Sequence, residues 1–354
     1  MKRLDTLIQA VNLIDSIGSI AIQVSSLAID SRLVQKDGLF VANRGLNTDG
    51  HLFIDKAIEL GASVILCEEI SNPKDHITYL IVENSTIALG HIASAFHNYP
   101  SKNLKLVGVT GTNGKTSVSS ILYNCFRNLK HRCGLLSTIK YSVNGVDTIS
   151  THTTPNSIRI NELLAEMVEV GCEYAFMEVS SHALHQHRTT GLQFDGAIFT
   201  NITRDHLDYH SDFKEYLYTK KLLFDDLDSS AFALINKDDK NGKVVVQNSQ
   251  ATSYSYSLKS VSDFKTKILE HDFDGMLLNI NDSEVWLRLV GEFNAYNILA
   301  VYATAFLLGK EHLEIITALS AINSVDRSLQ KIKKKEITPI IDYAHTPDAV
   351  QNVL

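Results

Sequence analysis

Residues 104–129 read LKLVGVTGTNGKTSVSSILYNCFRNL, and the reading of this stretch decides the fold. Residues 104–110 form an apolar run of strand length, and residues 117–129 have the length and apolar spacing of a helix. Between them lies Gly111-Thr112-Asn113-Gly114-Lys115-Thr116. A strand that ends in a glycine-rich turn and opens a helix is the setting a phosphate-binding loop requires. Glycine lets the backbone wrap an anion closely, and the helix N-terminus offers N–H groups and the positive end of its dipole. In such a loop Lys115 reaches the β and γ phosphates of ATP, and the Thr116 hydroxyl faces Mg²⁺. The spacing Gly-x-x-x-x-Gly-Lys is not met, because Val109 stands where the first glycine belongs; the shorter Gly-x-x-Gly-Lys-Thr is met. The bland alternative is a glycine turn followed by a surface lysine.

The alternation continues on both sides. Upstream, residues 38–41, 63–67 and 78–82 are strand-length apolar runs, 52–60 and 87–96 carry helical spacing, and Pro100-Ser101-Lys102-Asn103 is a polar turn. Downstream, strands are expected at 174–179, 196–200 and 231–235, and helices at 161–170 and 294–308. Short strand-like runs within 243–289 suggest a β insertion. Strands separated by helices predict an α/β fold whose centre is a doubly wound, mostly parallel sheet. The expected divisions are 1–100, an N-terminal α/β domain, 101–330, the central phosphate-loop domain, and 331–354, the start of a truncated C-terminal α/β domain that opens with a strand at 337–342. Residues 1–16, in which Asp5, Gln9, Asn12 and Asp15 interrupt the apolar positions, read as an amphipathic helix rather than a signal peptide.

Composition narrows the class. Hydrophobic residues at 44% and charged residues at 21% are those of a soluble globular protein. A net charge of −7, from 33 basic and 40 acidic residues, argues against general nucleic-acid binding, and the basic run at 331–335 reads as a solvated edge. The four cysteines form no Cys-x-x-Cys pair and read as free thiols of a reducing compartment, so a cytoplasmic location is expected. No apolar run of about 18 residues marks a membrane span.

Two polar clusters follow strand signals. One is Glu178-Val179-Ser180-Ser181-His182-Ala183-Leu184-His185-Gln186-His187-Arg188; the other is Thr200-Asn201-Ile202-Thr203-Arg204-Asp205-His206-Leu207-Asp208-Tyr209-His210. Ligands of open α/β sheets bind at the carboxyl ends of the strands, so both clusters and the phosphate loop point to one site. Their histidines could suggest zinc, but no cysteine or carboxylate framework supports a closed site. Asn236-Lys237-Asp238-Asp239 matches the guanine-reading Asn-Lys-x-Asp of GTPases, and Asp272-Phe273-Asp274-Gly275 matches Asp-x-x-Gly, but their order along the chain is reversed.

These residues resemble the Mur ligase family, specifically its synthetases that add the third residue of the peptidoglycan stem. The match spans nearly the whole chain: Asp30-Ser31-Arg32, Asp49-Gly50-His51, Gly111 to Thr116, Thr153-Thr154-Pro155, Glu178 to Arg188, Thr200 to His210, Lys220, Gly291 to Asn297, and Asp342-Tyr343-Ala344-His345-Thr346-Pro347-Asp348. Glu-Val-Ser-Ser-His followed by Gln-His-Arg separates this branch from its sister ligases.

The resemblance implies an ATP-dependent, ADP-forming ligase that joins an amino acid to UDP-N-acetylmuramoyl-L-alanyl-D-glutamate through an acyl phosphate, a step on which cell wall, cell shape and division depend. It implies that Ser31 and the loop at 43–51 hold the UDP part, and that Thr153, Thr154, Ser180, Gln186 and Arg188 bind the muramoyl dipeptide. It implies that Gly111, Thr112, Asn113, Gly114, Lys115 and Thr116 hold ATP, with Asn294 and Asn297 near adenine and Asp342 and His345 touching the nucleotide. Thr116 and Glu178 would bind one Mg²⁺ and His206 a second, and Lys220 would react with CO₂ to become a carbamate ligand. Lys115, Glu178, His206 and Lys220 are thus the expected catalytic set. The added residue is expected to be meso-diaminopimelate, with L-lysine as the alternative; a catalytically weak nucleotide-binding homologue is the remaining one. A monomer is expected. One departure stands out: in Val325-Asp326-Arg327-Ser328-Leu329-Gln330, Arg327 and Ser328 occupy the places of the family's Gly-Arg pair.

Overall fold

The computed structural model describes residues 1–45, 48–205, 209–322, 330–331, 340–341 and 350. The chain divides into two units, the first comprising Met1–Asn103, Pro155–Ala165 and His185–Leu192, the second Leu104–Thr154, Glu166–Leu184 and Gln193–Leu354.

In the first unit a five-stranded sheet has the order Leu13–Ile17, Thr78–Val82, Ala62–Cys67, Gly38–Val41, Leu27–Ala28. All neighbours run parallel except the first pair. Strand residues alternate between faces, and the core follows that period of two. Val64, Leu66, Leu80 and Val82 pack with Leu89 and Ile92 of helix Ser85–Phe96, whereas Ile65, Cys67 and Tyr79 pack with Ile54 and Ala57 on the opposite face. The helix starts at Asn84, whose side-chain oxygen accepts the N–H of Thr86 and of Ile87, both at 3.0 Å.

The helix expected over 1–16 is not formed. Lys2–Arg3 pairs with Gln23–Val24, Leu4–Leu7 makes a single turn, and Leu13–Ile17 is a strand. Leu4, Leu7 and Ile8 have helical spacing and are buried, which supports the turn. Beyond them, pairing with Thr78–Val82 offers the backbone a ladder, and that tertiary gain overrides weak helical patterning.

The second unit is built on an eleven-stranded sheet. Its parallel centre runs Cys133–Leu136, Tyr174–Glu178, Lys105–Thr110, Gly196–Phe199, Phe232–Asn236, Thr252–Ser257, Phe264–His271. Antiparallel strands flank both ends: Lys140–Val143 and Val146–Ile149 on one side, Met276–Ile280 and Ser283–Leu287 on the other. The stretch 243–289 is therefore no inserted module: its strands continue the central sheet. The cause is helix Glu292–Leu307, buried along most of its length, including Ala295, Ile298, Leu299, Val301, Tyr302 and Ala303. A helix apolar nearly all round needs cover on several sides, and these strands help supply it.

Chain order reverses at Lys105–Thr110. The next two parallel strands lie on one side of it and the later ones on the other, so a crevice opens at its carboxyl end. Of the strand expected at 337–342, the described Ile340–Ile341 pairs antiparallel with Gln330–Lys331. All four cysteines are buried and free, and among the described residues no helix is long and apolar enough to cross a membrane.

Candidate active site

The glycine loop occupies the crevice. Gly111 has φ +151° and a Cβ there would lie 2.0 Å from the Thr200 hydroxyl, so no side chain fits. Gly114, at φ +87°, precedes helix Lys115–Asn128, and its missing Cβ would meet the Asn297 side-chain oxygen at 2.8 Å. The neighbouring strand end grips the loop. Asn201 accepts the Asn113 N–H at 3.0 Å and donates to the Asn113 carbonyl at 3.1 Å, while the Thr200 hydroxyl donates to that carbonyl at 2.6 Å.

Glu178 ends the strand on the other side and is fully buried. The Thr116 hydroxyl donates to its carboxylate at 2.9 Å, the Thr138 N–H at 2.6 Å and the Thr138 hydroxyl at 3.2 Å. Burial pushes its pKa up; nearby Lys115 and the Thr138 and Thr116 donors oppose that. The Thr138 hydroxyl also lies 3.0 Å from that of Thr153, so its single proton is shared between that oxygen and Glu178. Thr154 donates to the Glu178 carbonyl at 2.7 Å and accepts the Ser180 N–H at 3.1 Å. Ser180 in turn accepts the Ala183 N–H at 3.2 Å, opening the short helix Ser181–His185. Thr116, Glu178, Thr153, Thr154 and Ser180 thus form one connected network, with Thr138 at its centre. The sequence reading missed Thr138; its signal is a polar residue just past strand Cys133–Leu136, at the same sheet edge.

Two lysines share one acceptor. Lys115 Nζ donates to the Gly111 carbonyl at 2.9 Å and to that of Thr112 at 2.8 Å. Lys220, 1% exposed, donates to the same Gly111 carbonyl at 2.9 Å. Removal from water lowers the pKa of both, and Lys115 lowers that of Lys220 further. Lys220 lies on helix Phe213–Asp225, one turn after Tyr216, whose ring is 4.5 Å from the Lys220 nitrogen.

Asn294 and Asn297 are buried at the start of helix Glu292–Leu307 and joined by a 3.0 Å bond. The Asn236-Lys237-Asp238-Asp239 segment is a buttress. Asn236 donates to the Thr200 carbonyl at 2.9 Å, and Asp239 accepts the Ile202 N–H at 2.8 Å. Asp238 accepts from the hydroxyls of Ser257 and Ser260, from the N–H groups of Leu258 and Lys259, and from Tyr296 at 2.9 Å. These donors hold its carboxyl well below the usual range despite partial burial. Side chains engaged inside the fold in this way do not read a guanine base. A cleft of about 300 Å³ beside them is lined by Ile202, Thr203, Arg204, Phe213 and Lys240.

Other candidates belong to the first unit. Ser31 is buried and follows Asp30, whose carboxylate accepts the Arg32 N–H at 3.0 Å. His51 donates through Nδ1 to Asp49 at 2.6 Å and accepts the Glu68 N–H on Nε2 at 3.0 Å, which fixes its tautomer. Arg188 donates to Gln186 at 2.6 and 3.1 Å, so these two are brought together. His206, Asp342, His345, Arg327 and Ser328 lie outside the described residues. Among the described residues no group of three or more His, Cys, Asp or Glu is placed to hold a metal.

Comparison with known proteins gives two family matches: the Mur ligase middle domain over residues 109–305 and the Mur ligase family catalytic domain over residues 23–101. A relative from Cytophaga hutchinsonii, named UDP-N-acetylmuramoyl-L-alanyl-D-glutamate–2,6-diaminopimelate ligase, is 49% identical over 98% of this chain and 72% of its own length. One of the same name from Clostridioides difficile is 36% identical over 99% of this chain and 74% of its own length. A solved structure of a ligase with that name superposes with a TM-score of 0.81 at 24% identity, covering 100% of this chain and 73% of that one.

Proposed function

The chain belongs to the Mur ligase family, and from that premise we propose that it adds meso-diaminopimelate to UDP-N-acetylmuramoyl-L-alanyl-D-glutamate at the expense of ATP. The observation that carries this reading is the Glu178 network, which ties the phosphate loop through Thr116 and Thr138 to the Thr153-Thr154 and Ser180 segment. A site for phosphoryl transfer and a site for its acceptor are thereby one hydrogen-bonded object.

The chemistry gives each residue a task. A carboxylate is a poor acyl donor because it would have to expel oxide; phosphorylation converts it to an acyl phosphate, which an amine attacks with loss of phosphate. Phosphoryl transfer asks the protein for placement and charge rather than covalent work. The Gly111-to-Thr116 loop cradles the phosphates, and Lys115 leaves its backbone carbonyls for phosphate oxygens as they arrive. The Glu178 carboxylate and Thr116 hydroxyl, 2.9 Å apart, suit Mg²⁺, a hard cation that takes oxygen donors and keeps phosphates among its ligands. Mg²⁺ bound there would neutralise charge on the transferring phosphoryl group. Lys220 suits carbamylation: its buried amine, with pKa lowered, attacks CO₂ at carbon and sheds one proton. Ser31, Gln186 and Arg188 would hold the UDP-dipeptide, the arginine fork matching a carboxylate or phosphate.

The test is phosphate release from ATP with UDP-N-acetylmuramoyl-L-Ala-D-Glu and either meso-diaminopimelate or L-lysine. Release that depends on the UDP-dipeptide and on diaminopimelate supports the reading. Release with lysine alone reassigns the added residue, and none with either amine overturns the ligase.

A further inference from the structure

Helix Phe213–Asp225 reaches the phosphate loop through two side chains one turn apart. Lys220 bonds Gly111, as described. Tyr216 is completely buried, and its hydroxyl lies 3.1 Å from that of Thr112, the next loop residue. The Thr112 hydroxyl is itself tied to Thr203, accepting its N–H at 3.0 Å and facing its carbonyl at 3.3 Å. A hydroxyl has one proton and two lone pairs. The arrangement that satisfies every group has Thr112 donating to the Thr203 carbonyl, accepting the Thr203 N–H, and accepting the Tyr216 O–H on its second lone pair. Packing alone would be served by phenylalanine, since burying a phenol hydroxyl is unfavourable without a partner. Here the partner is a residue of the loop.

We infer that Tyr216 is a positioning residue of the nucleotide site: its hydroxyl sets Thr112, and through Thr112 the first turn of the phosphate loop. The inference rests on the reading of Gly111 to Thr116 as that loop. Neither composition nor the motif pattern singles Tyr216 out; the signal is its place four residues before Lys220 on one helix face.

The experiment measures Mg-ADP affinity by calorimetry for the wild type, Tyr216→Phe, Thr112→Val and the double variant, each checked by circular dichroism and thermal melting. Tyr216→Phe keeps the ring and its packing, so the fold and melting temperature should hold. We expect Mg-ADP to bind five- to tenfold more weakly, KM for ATP to rise in step, and kcat to stay within twofold. The double variant should be no weaker than the poorer single, because the bond that Tyr216→Phe removes is already lost in Thr112→Val. An affinity within twofold of wild type for Tyr216→Phe, or additive losses in the double variant, overturns the inference. A wild type that binds Mg-ADP but releases no phosphate defeats the ligase reading and leaves this test intact. A wild type that binds no Mg-ADP overturns both.

Discussion

The two units share an architecture of parallel strands and helices and differ in what they bury. In the first, the buried polar residues carry neutral hydroxyls and amides: Ser31, Thr78, Ser85, Ser94, Ser101, Ser157 and Asn161. In the second, Glu178, Lys220 and Lys221 are at most 3% exposed. Lys221 is paired with Asp225 on its own helix, whereas Glu178 and Lys220 turn toward the phosphate loop. Burying an ion costs several kcal/mol even after relaxation, at roughly the scale of a domain's whole stability. A fold keeps such ionisable groups where they act, and their burial in the second unit alone among the described residues supports the proposal that this unit carries the chemistry.

That contrast can be broken most directly at Lys115. Lys115→Ala should lower phosphate release by ~10²–10³-fold or more, as expected for loss of a donor to transition-state charge, while the melting temperature moves little. Retained release would mean that the loop is not the phosphate site. The first unit should answer oppositely. Leu66→Ala removes a wholly buried side chain and should cost about 2–5 kcal/mol of stability, read from denaturant unfolding, with kcat per folded molecule unchanged.

Asp238→Ala tests a polar residue of the second unit that works on structure. It strands several donors, so unfolding should become easier by about 2 kcal/mol, and Mg-ADP binding should weaken with it. Unchanged stability would show that the buttress is dispensable. Thr138→Val removes one of the hydroxyl bonds to Glu178 and leaves the backbone bond in place. A bond to a charged group contributes about 1.5–3 kcal/mol to stability, so unfolding should become easier by about that much, and kcat per folded molecule should fall as the Glu178 carboxylate loses one of the donors that hold it.

The smallest effect concerns pH. Burial pushes the thiol of Cys67 in the first unit up to about 11, and those of Cys125 and Cys133 in the second up to about 12. Raised folded values mean that the stabilisation is complete below the ordinary thiol pKa and is lost as pH climbs through the folded values. Melting temperature should therefore fall between about pH 9 and 11, and less steeply in Cys67→Ala. An equal slope would show that the thiol does not contribute.

The central sheet and the loop were legible because their signals are local: a strand, two glycines at fixed spacing, a helix. The edge strands were not. Leu13–Ile17 has three apolar positions, Leu13, Ile14 and Ile17, too irregular to choose a period, and its partner Thr78–Val82 decides it. The continuation of the sheet through Thr252–Ser257 was hidden for the same reason, since strand neighbours are set by packing under helix Glu292–Leu307. At the candidate site, glycine, lysine and acidic residues in a motif could be read directly. Thr138 and Tyr216 act through hydroxyls that carry no pattern of their own, and they become visible only once Glu178 and Thr112 have been placed beside them.

The Gly111 carbonyl accepts from Lys115 and from Lys220, so one backbone oxygen serves both amines as an internal counter-ligand. On the proposed reading of the loop, nucleotide entry would be an exchange of acceptors, in which Lys115 trades the Gly111 and Thr112 carbonyl oxygens for phosphate oxygens. Release of product would reverse the same trade. The loop would then answer its ligand by turning a single side chain.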